Sequence, residues 1–291
     1  MPTPLPPELR GSAIRTSTAS DHALTRWRLR AKDIDHPYRG VSAVGLDLAA
    51  MRDLAAAFLP VMEHGQTFSH TTALALHGAP LPTLPCDLHV SVAFPRTPPR
   101  RPGVRGHSLT DAPAMFLDGM PVAPAVVAWA QSASLLARED LVAVGDHIVL
   151  DARREPLGSL DQLQQIAEAW RGRHGSARLA WAAPRVRVGV RSRPETHLRL
   201  LLVRSGLPEP CVAYPVTVAG GIVLHPDIAY PDQRLALEYE GDGHRSRAEW
   251  ERDIERRELL ADVNWRTIRV TSMHLRDPLA LVARVQRHLA R

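Results

Sequence analysis

Apolar and polar positions follow the most regular pattern in the C-terminal third of the chain. Leu198, Leu201 and Leu202 fall on one side of a helix predicted over 195–205. The apolar runs that follow predict strands, and longer runs with helical spacing predict two more helices. The remaining predicted elements in this part are strands at 212–218, 222–230, 235–240 and 265–271, and helices at 247–263 and 278–290.

The preceding part of the chain has shorter and less regular segments. Ser69 is a suitable N-cap for a short helix that ends at Leu76, before His77-Gly78. Gly119 predicts the turn of a hairpin over 114–122. The other predicted elements are helices at 46–62, 124–136, 139–150 and 160–181, and strands at 88–94 and 104–109.

This organisation predicts a two-domain α+β protein, which fits a chain of 291 residues. We expect a leader over 1–20 that is flexible or packed as an arm, an N-terminal helix/strand module over 21–183 and a C-terminal domain over 184–291. The leader is rich in proline and serine and has no apolar core of a signal peptide.

The charge balance is basic, at +5, with a sequence pI near 9.8. A basic surface permits binding to nucleic acid, because neutralised phosphates supply most non-specific affinity. The stretch 169–194 contains arginines and no acidic residue. One interpretation is a solvated helix face and linker, and the other is a strip that contacts DNA phosphates. The arginines that would contact DNA phosphates are Arg185, Arg187, Arg191 and Arg193.

The two cysteines, Cys86 and Cys211, are far apart and have no metal-ligand spacing. This pattern favours a reducing compartment over a disulfide framework. No apolar run is long enough to cross a bilayer. We therefore expect a cytoplasmic protein that does not associate with membranes.

Three carboxylates are expected to meet near the predicted hairpin of 222–240. Glu238 and Glu240 are two apart on a strand and share one face, and Asp227 follows a proline on the neighbouring strand. Such carboxylates repel one another unless a cation binds or a pKa rises. Because Mg²⁺ and Mn²⁺ prefer oxygen ligands, we expect a Mg²⁺ (or Mn²⁺) site here. A solvated acidic face is the simpler alternative.

These residues resemble the motif of the PD-(D/E)xK, or restriction-endonuclease-like, nucleases. More narrowly, the segment from Ser192 onward resembles the very-short-patch-repair endonuclease relatives. The positions that match are Glu195, Pro226-Asp227, Glu238, Glu240-Gly241, His244, Asp253 and Arg257. The resemblance implies an α-β-β-β-α-β-α core with a mixed four-stranded sheet, with Glu195 as a further metal ligand and DNA as the partner.

The motif lysine is missing, because Lys32 is the only lysine in the chain. Glu240 stands at the lysine position, as an acid does in the very-short-patch-repair relatives. His244 is then the expected general base or acid, since an imidazole titrates near neutral pH. Arg245 is an expected phosphate contact.

Asp253 and Arg257 are four apart on a predicted helix. They form either a surface ion pair or part of a helix packed over the site, with Arg257 facing phosphate or fixing a carboxylate.

The N-terminal region resembles, less specifically, the regions grouped with AbiEi-type antitoxins. Ser69-His70, Thr72-Ala73 and His77-Gly78 are the matching residues. His70 and His77 are seven apart, but without a third ligand in view they are interpreted as helix-end residues.

The sequence thus predicts a metal-dependent DNA endonuclease assisted by a histidine. The alternatives are a catalytically degenerate nuclease fold that binds DNA or acts as an antitoxin-like regulator, and an interaction protein with an acidic surface. The sequence leaves open whether the protein forms a homo-oligomer and whether it serves repair, defence or regulation.

Overall fold

The computed structural model describes residues 5–150, 155–241 and 247–290. Contacts along the chain divide it into two compact units, Met1–Leu135 and Leu136–Arg291. Residues 136–183 group with the C-terminal sheet because helices of this segment pack on the first helix of the C-terminal part. The expected domain boundary between 183 and 184 stays a prediction.

The first unit combines short helices with two sheets. Its helices are α1 (Met51–Phe58), α2 (His70–Leu76) and α3 (Ala125–Gln131). Its strands are β1 (Ser12–Arg15), β2 (Val41–Val44), β3 (Gln66–Phe68), β4 (Leu88–Ala93), β5 (Arg100–Arg101), β6 (Val104–Leu109), β7 (Met115–Leu117) and β8 (Met120–Val122).

The larger sheet of this unit is six-stranded and mixed, in the order β5-β6-β4-β3-β8-β7. The central strand β4 pairs antiparallel with β3 and parallel with β6. Leu88, Val90 and Val92 alternate along β4 and are buried. The residues between them, His89 and Ser91, are also buried, so both faces of β4 are covered.

The segment expected to be a flexible leader is packed over most of its described length. β1 pairs antiparallel with β2, from Ser12 opposite Val44 to Arg15 opposite Val41. Leu9 joins a cluster of buried apolar side chains close to this pair. The apolar residues in the proline-rich stretch therefore contribute to a core.

The second unit combines helices with a four-stranded sheet and a separate hairpin. Its helices are α4 (Arg138–Ile148), α5 (Leu160–Ala169), α6 (Ser176–Ala182), α7 (Arg193–Arg204), α8 (Arg247–Asp262), α9 (Ser272–Arg276) and α10 (Leu279–Leu289). Its strands are β9 (Cys211–Val212), β10 (Val216–Thr217), β11 (Val223–Leu224), β12 (Ile228–Tyr230), β13 (Leu235–Tyr239) and β14 (Arg266–Val270).

The four-stranded sheet has the order β14-β13-β12-β9. β12 pairs antiparallel with β13 and β9, whereas β13 and β14 are parallel. The mixed α/β class and the mixed four-stranded sheet are confirmed. The β13–β14 connection contains α8, as a parallel pair requires a crossover.

Two predicted strands are each broken in the structure. The run 212–218 divides into β9 and β10, because Ala213 has a φ of 46° and Pro215 lacks an N–H donor. The run 222–230 divides into β11 and β12, and β10 and β11 form a separate hairpin. Helix α9 was not predicted from the sequence.

One face of the four-stranded sheet carries the core of this unit. Ile228, Tyr230, Leu235 and Leu237 pack there with leucines of α7 and with α10. Since side chains alternate along a strand, the opposite face of β12 and β13 carries the residues between them. Within the described residues, no helix is both long enough and apolar enough to cross a membrane.

A buried polar network holds α7 against α4. Asp146 accepts hydrogen bonds from Thr196 Oγ1 and from the backbone N–H of Arg187, both at 2.7 Å. The fully buried Arg199 guanidinium lies 3.6 Å from the same carboxylate. Burial raises the pKa of Asp146 to about 6, while Arg199 opposes this rise. The network fixes the helix whose first turn carries Glu195.

Candidate functional site

The β12–β13 hairpin brings Asp227 next to Glu238. Ile228 is paired with Leu237, so continuing the antiparallel register by one residue sets Asp227 opposite Glu238. Both therefore lie on the face opposite the apolar core, because directly paired residues of an antiparallel ladder point the same way. Asp227 Oδ2 accepts a hydrogen bond from the backbone N–H of Tyr239 at 2.8 Å. This bond fixes the carboxyl at the end of the hairpin.

Asp227 has the most perturbed carboxyl in this region among the described residues. Burial is the main cause that raises its pKa to about 7 from an ordinary value of 3.8. The charges of Glu195 and Glu238 raise the pKa further, whereas the Tyr239 N–H and Arg256 oppose the rise. The structure therefore brings three of the predicted carboxylates into electrostatic contact.

Glu195 lies in the first turn of α7 and is buried. Its carboxylate accepts hydrogen bonds from Ser192 Oγ at 2.7 Å and from the Arg191 backbone N–H at 3.0 Å. Ser192 is the N-cap of α7 and in turn accepts from the Glu195 backbone N–H. Burial raises the pKa of Glu195 despite these bonds. Glu195 thus has a capping role as well as a position near Asp227.

Arginines hold Glu238 of β13 and Glu240, which directly follows that strand. Glu238 accepts a hydrogen bond from Arg256 Nε of α8 at 2.9 Å. Arg256 also donates to the carbonyl of His225, and so ties α8 to the strand that leads to Asp227. Glu240 is paired with Arg269 of β14. Sequence reasoning did not identify these two arginines as partners of the acids.

Two of the predicted site residues, His244 and Arg245, lie outside the described residues. Asp253 and Arg257 lie on α8, where Arg257 Nε donates to the Asp253 carbonyl at 3.0 Å. This bond is local to the helix. Whether α8 covers the site through Arg257 stays a prediction.

The predicted DNA-contacting arginines have different environments. Arg187 is paired with Glu209, and Arg193 with Asp140, at 2.8 and 2.7 Å. The Arg191 side chain is exposed.

Arg185 lies over the ring of Trp181, 4.4 Å from its centroid. A second arginine, Arg138, lies 4.6 Å from the same ring. Both arginines and Trp181 line a cavity of about 620 Å³, together with His197 and Arg204. Glu139 also lines this cavity and is paired with Arg138 and Arg204, whereas neither Asp227 nor Glu238 lines it.

A histidine cluster in the first unit was missed by sequence reasoning. The side chains of His70, His89 and His107 come within 4.8 Å of one another through one ring nitrogen each. Among the residues that the structure describes, these histidines are the group of at least three potential metal ligands whose donor atoms lie this close together. The carboxylates around Asp227 do not form such a group.

His77, which was paired with His70 in the sequence interpretation, instead contacts the carbonyl of Ala123 through Nε2 at 2.9 Å. The signal for the cluster was the presence of His89 and Ser91 as polar residues within a buried strand.

Comparisons with known proteins give a partial match. No family model matches the chain. The chain is 33% identical over 132 residues to uncharacterized proteins from two strains of Mycobacterium tuberculosis, CDC 1551 / Oshkosh and ATCC 25618 / H37Rv. The match covers 45% of this chain and 49% of each relative, so the chain spans about half the length of the curated relatives it matches.

Proposed function

We propose that the C-terminal unit is a divalent-metal-dependent DNA endonuclease with a restriction-endonuclease-like core. The observation that carries the proposal is the Asp227 carboxyl, half-buried at the end of a hairpin beside two other carboxylates. Desolvated like charges disfavour one another, and a cation relieves that repulsion. The mixed four-stranded sheet with a helix between β13 and β14 supports the same assignment.

The donor set is suited to Mg²⁺ or Mn²⁺, because it consists of carboxylate oxygens. Asp227 and Glu238 would hold the ion, with Glu195 and Glu240 close to it. A bound divalent ion would supply Lewis acidity and a water of lowered pKa for phosphodiester hydrolysis. His244 remains the proposed general base or acid.

The residues themselves set two conditions for binding a cation. Asp227 must lose its proton, since its pKa is about 7, so we expect tighter binding at pH 8 than at pH 6. Glu238 must also release Arg256, which now donates to its Oε1. Once released, the guanidinium would be free to contact a phosphate of the bound DNA.

The test is nicking of supercoiled plasmid in Mn²⁺ by the full chain and by Asp227→Asn and Glu238→Gln. We expect the wild type to nick and both variants to lose at least about 100-fold in rate, as for loss of a metal ligand. The exposed Asp232, in the turn of the same hairpin, supplies the control variant Asp232→Asn. Equal nicking by wild type and Asp227→Asn would exclude the proposed site.

A second candidate function is DNA binding by a catalytically degenerate fold. It is favoured by the arginine partners of Glu238 and Glu240 and by the absence of any lysine after Lys32. In this case the arginines neutralise the carboxylates in place of a metal. Wild-type protein would then bind DNA with a steep salt dependence and would not nick it in Mn²⁺ or Mg²⁺.

A further inference from the structure

Three elements of the first unit bring histidines together across a long stretch of sequence. His70 begins α2, His89 lies in β4 and His107 lies in β6. β4 and β6 are parallel, with Ser91 opposite His107, so His89 and His107 lie on the same face of the sheet. The ring of His70 is stacked on that of His107, with centroids 3.8 Å apart.

We propose that His70, His89 and His107 bind one divalent transition-metal ion of the zinc class through their imidazole nitrogens. Three histidine ligands leave a fourth position for water or another small donor, as in zinc sites that remain open to solvent. The set contains no carboxylate and no thiolate, so it does not suit Mg²⁺ or Ca²⁺. The site lies in the first unit and does not depend on the proposed nuclease function.

The donor atoms of His89 and His107 are close to the separation that a metal requires, and that of His70 lies within 4.8 Å of both. His89 Nδ1 and His107 Nε2 lie 2.9 Å apart and share a hydrogen bond. Two ligands of a tetrahedral zinc ion with bonds of about 2.05 Å are about 3.3 Å apart. An ion can therefore replace the shared proton with a small separation of the two rings. His107 is half-buried, which gives its ring room for this movement.

His70 is held in place by contacts that orient its ring. Its Nδ1 lies 2.9 Å from Ser69 Oγ, which accepts a hydrogen bond from Ser91 Oγ at 2.6 Å. Its backbone N–H donates to Gln131 Oε1 at 3.0 Å. Metal-binding histidines commonly have such a partner on the second ring nitrogen, which leaves the other nitrogen for the metal. For His70 that other nitrogen is Nε2.

The backbone at His70 is strained. Its φ is 51°, in the left-handed region that residues with a side chain seldom adopt. The α2 helix begins at this residue, directly after its N-cap Ser69. Such strain persists only where surrounding contacts impose it, and it is concentrated at functional sites. The strain turns His70 towards β4 and β6 at the cost of a regular helix start.

The surroundings of the three rings favour the neutral form of each imidazole. Burial lowers the pKa of His70 to about 2 and that of His89 to about 4, and it also lowers the pKa of His107. Neutral imidazoles keep the lone pairs that bind metal. Arg105 adds a positive charge close to His89 and His107, but its side chain is exposed and so is screened by solvent.

The test is metal binding by the chelator-stripped full chain, measured by Zn²⁺ competition with a chromophoric chelator and by the visible spectrum of bound Co²⁺. We expect one tight Zn²⁺ per chain and a Co²⁺ spectrum of nitrogen-ligated, four-coordinate metal. His89→Gln and His107→Gln should each weaken binding by about tenfold or more. The exposed His64 supplies the matched control His64→Gln, which should bind as wild type does.

Two further variants separate this site from other causes of binding. Asp227→Asn, in the other unit, should keep the tight Zn²⁺ site even if it abolishes nicking. If His89→Gln fails to fold by circular dichroism, His107→Gln decides the question, because its ring is only half-buried. Wild-type binding no tighter than that of folded His107→Gln, or an equal loss in His64→Gln, overturns the proposal. The three histidines would then be a buried hydrogen-bonded cluster.

Discussion

Substitution of Asp227 by Asn should make the metal-free protein more stable at neutral and alkaline pH. The amide keeps an oxygen that can accept the Tyr239 N–H bond, and it removes a charge that lies close to Glu195 and Glu238. In the folded chain the wild-type carboxyl has a pKa of about 7, against an ordinary value of 3.8. The folded state therefore binds more protons than the unfolded state between these two values.

The sign and the size of the effect follow from this difference. Stability falls as pH rises wherever the folded state holds more protons. Asp227 should lower the free energy of unfolding by about 1.4 kcal/mol per pH unit between about pH 4 and pH 7. The full shift corresponds to about 4 kcal/mol, and solvent screening of a partly accessible group reduces this to about 2–4 kcal/mol at pH 8.

The assay is urea denaturation of wild type and Asp227→Asn in EDTA at intervals from pH 4 to pH 8. We expect the two free energies of unfolding to agree near pH 4 and to separate steadily as pH rises. Asp232→Asn removes one negative charge from the same hairpin and is the control for a general charge effect. Parallel curves for wild type and Asp227→Asn, or a less stable variant at pH 8, would refute the reasoning.

Mn²⁺ should remove most of this difference at pH 8. At 100 times its Kd, a ligand of the folded state stabilises it by about 2.7 kcal/mol. We expect this gain in wild type at pH 8 and little of it in Asp227→Asn. An equal gain in both would show that Mn²⁺ binds elsewhere.

Three other substitutions test contacts around the site. Arg199→Met removes a buried guanidinium and leaves a buried carboxylate without its cation, so urea unfolding should show a loss of about 3–5 kcal/mol; a loss under about 1 kcal/mol would contradict this. Gly145→Ala would set a Cβ 2.5 Å from Val186 Cγ2 and should cost about 1–3 kcal/mol in thermal unfolding, whereas an unchanged Tm would show that Val186 moves away from α4 freely. Arg256→Gln frees Glu238 and should tighten Mn²⁺ binding by about tenfold in calorimetry, and unchanged affinity would mean that the guanidinium does not compete.

Elements with a local signal could be predicted from the sequence. The helix that begins after Ser69 and ends at Leu76 has its start and its stop where the sequence predicts them, although the Ser69 side chain makes no capping hydrogen bond to the helix. The apolar run of β13, Leu235–Tyr239, likewise indicates a strand that is covered on both faces. In these cases neighbouring residues contain the information that sets the structure.

The parts that were missed depend on contacts between distant residues. Glu238 accepts a hydrogen bond from Arg256. The sequence pattern instead offers Arg257, one residue further along α8, as a residue that faces phosphate or fixes a carboxylate, with a surface ion pair as the alternative, and that assignment stays a prediction. A step of one residue rotates the side chain by about 100° around a helix, so periodicity alone does not decide which arginine faces the sheet.

To predict the histidine cluster, one would have to know the register of β4 and β6 and the residue at which α2 begins. His70 and His77 are near each other in sequence, so the sequence analysis considers them together. The residues that lie beside His70 in the structure, His89 and His107, come from other elements.

The hairpin of β12 and β13 also bears on the order of folding. Its strands are joined by the short turn Pro231–Gln233, whereas β14 must wait for the crossover through α8. Hairpins close within about 1–10 μs, and pairings over a longer loop form later. We therefore expect Asp227 and Glu238 to meet while water still surrounds them, and their repulsion to grow as later packing removes that water, partly offset by Arg256 of α8. The late steps of folding, rather than the first turn, should become slower as pH rises.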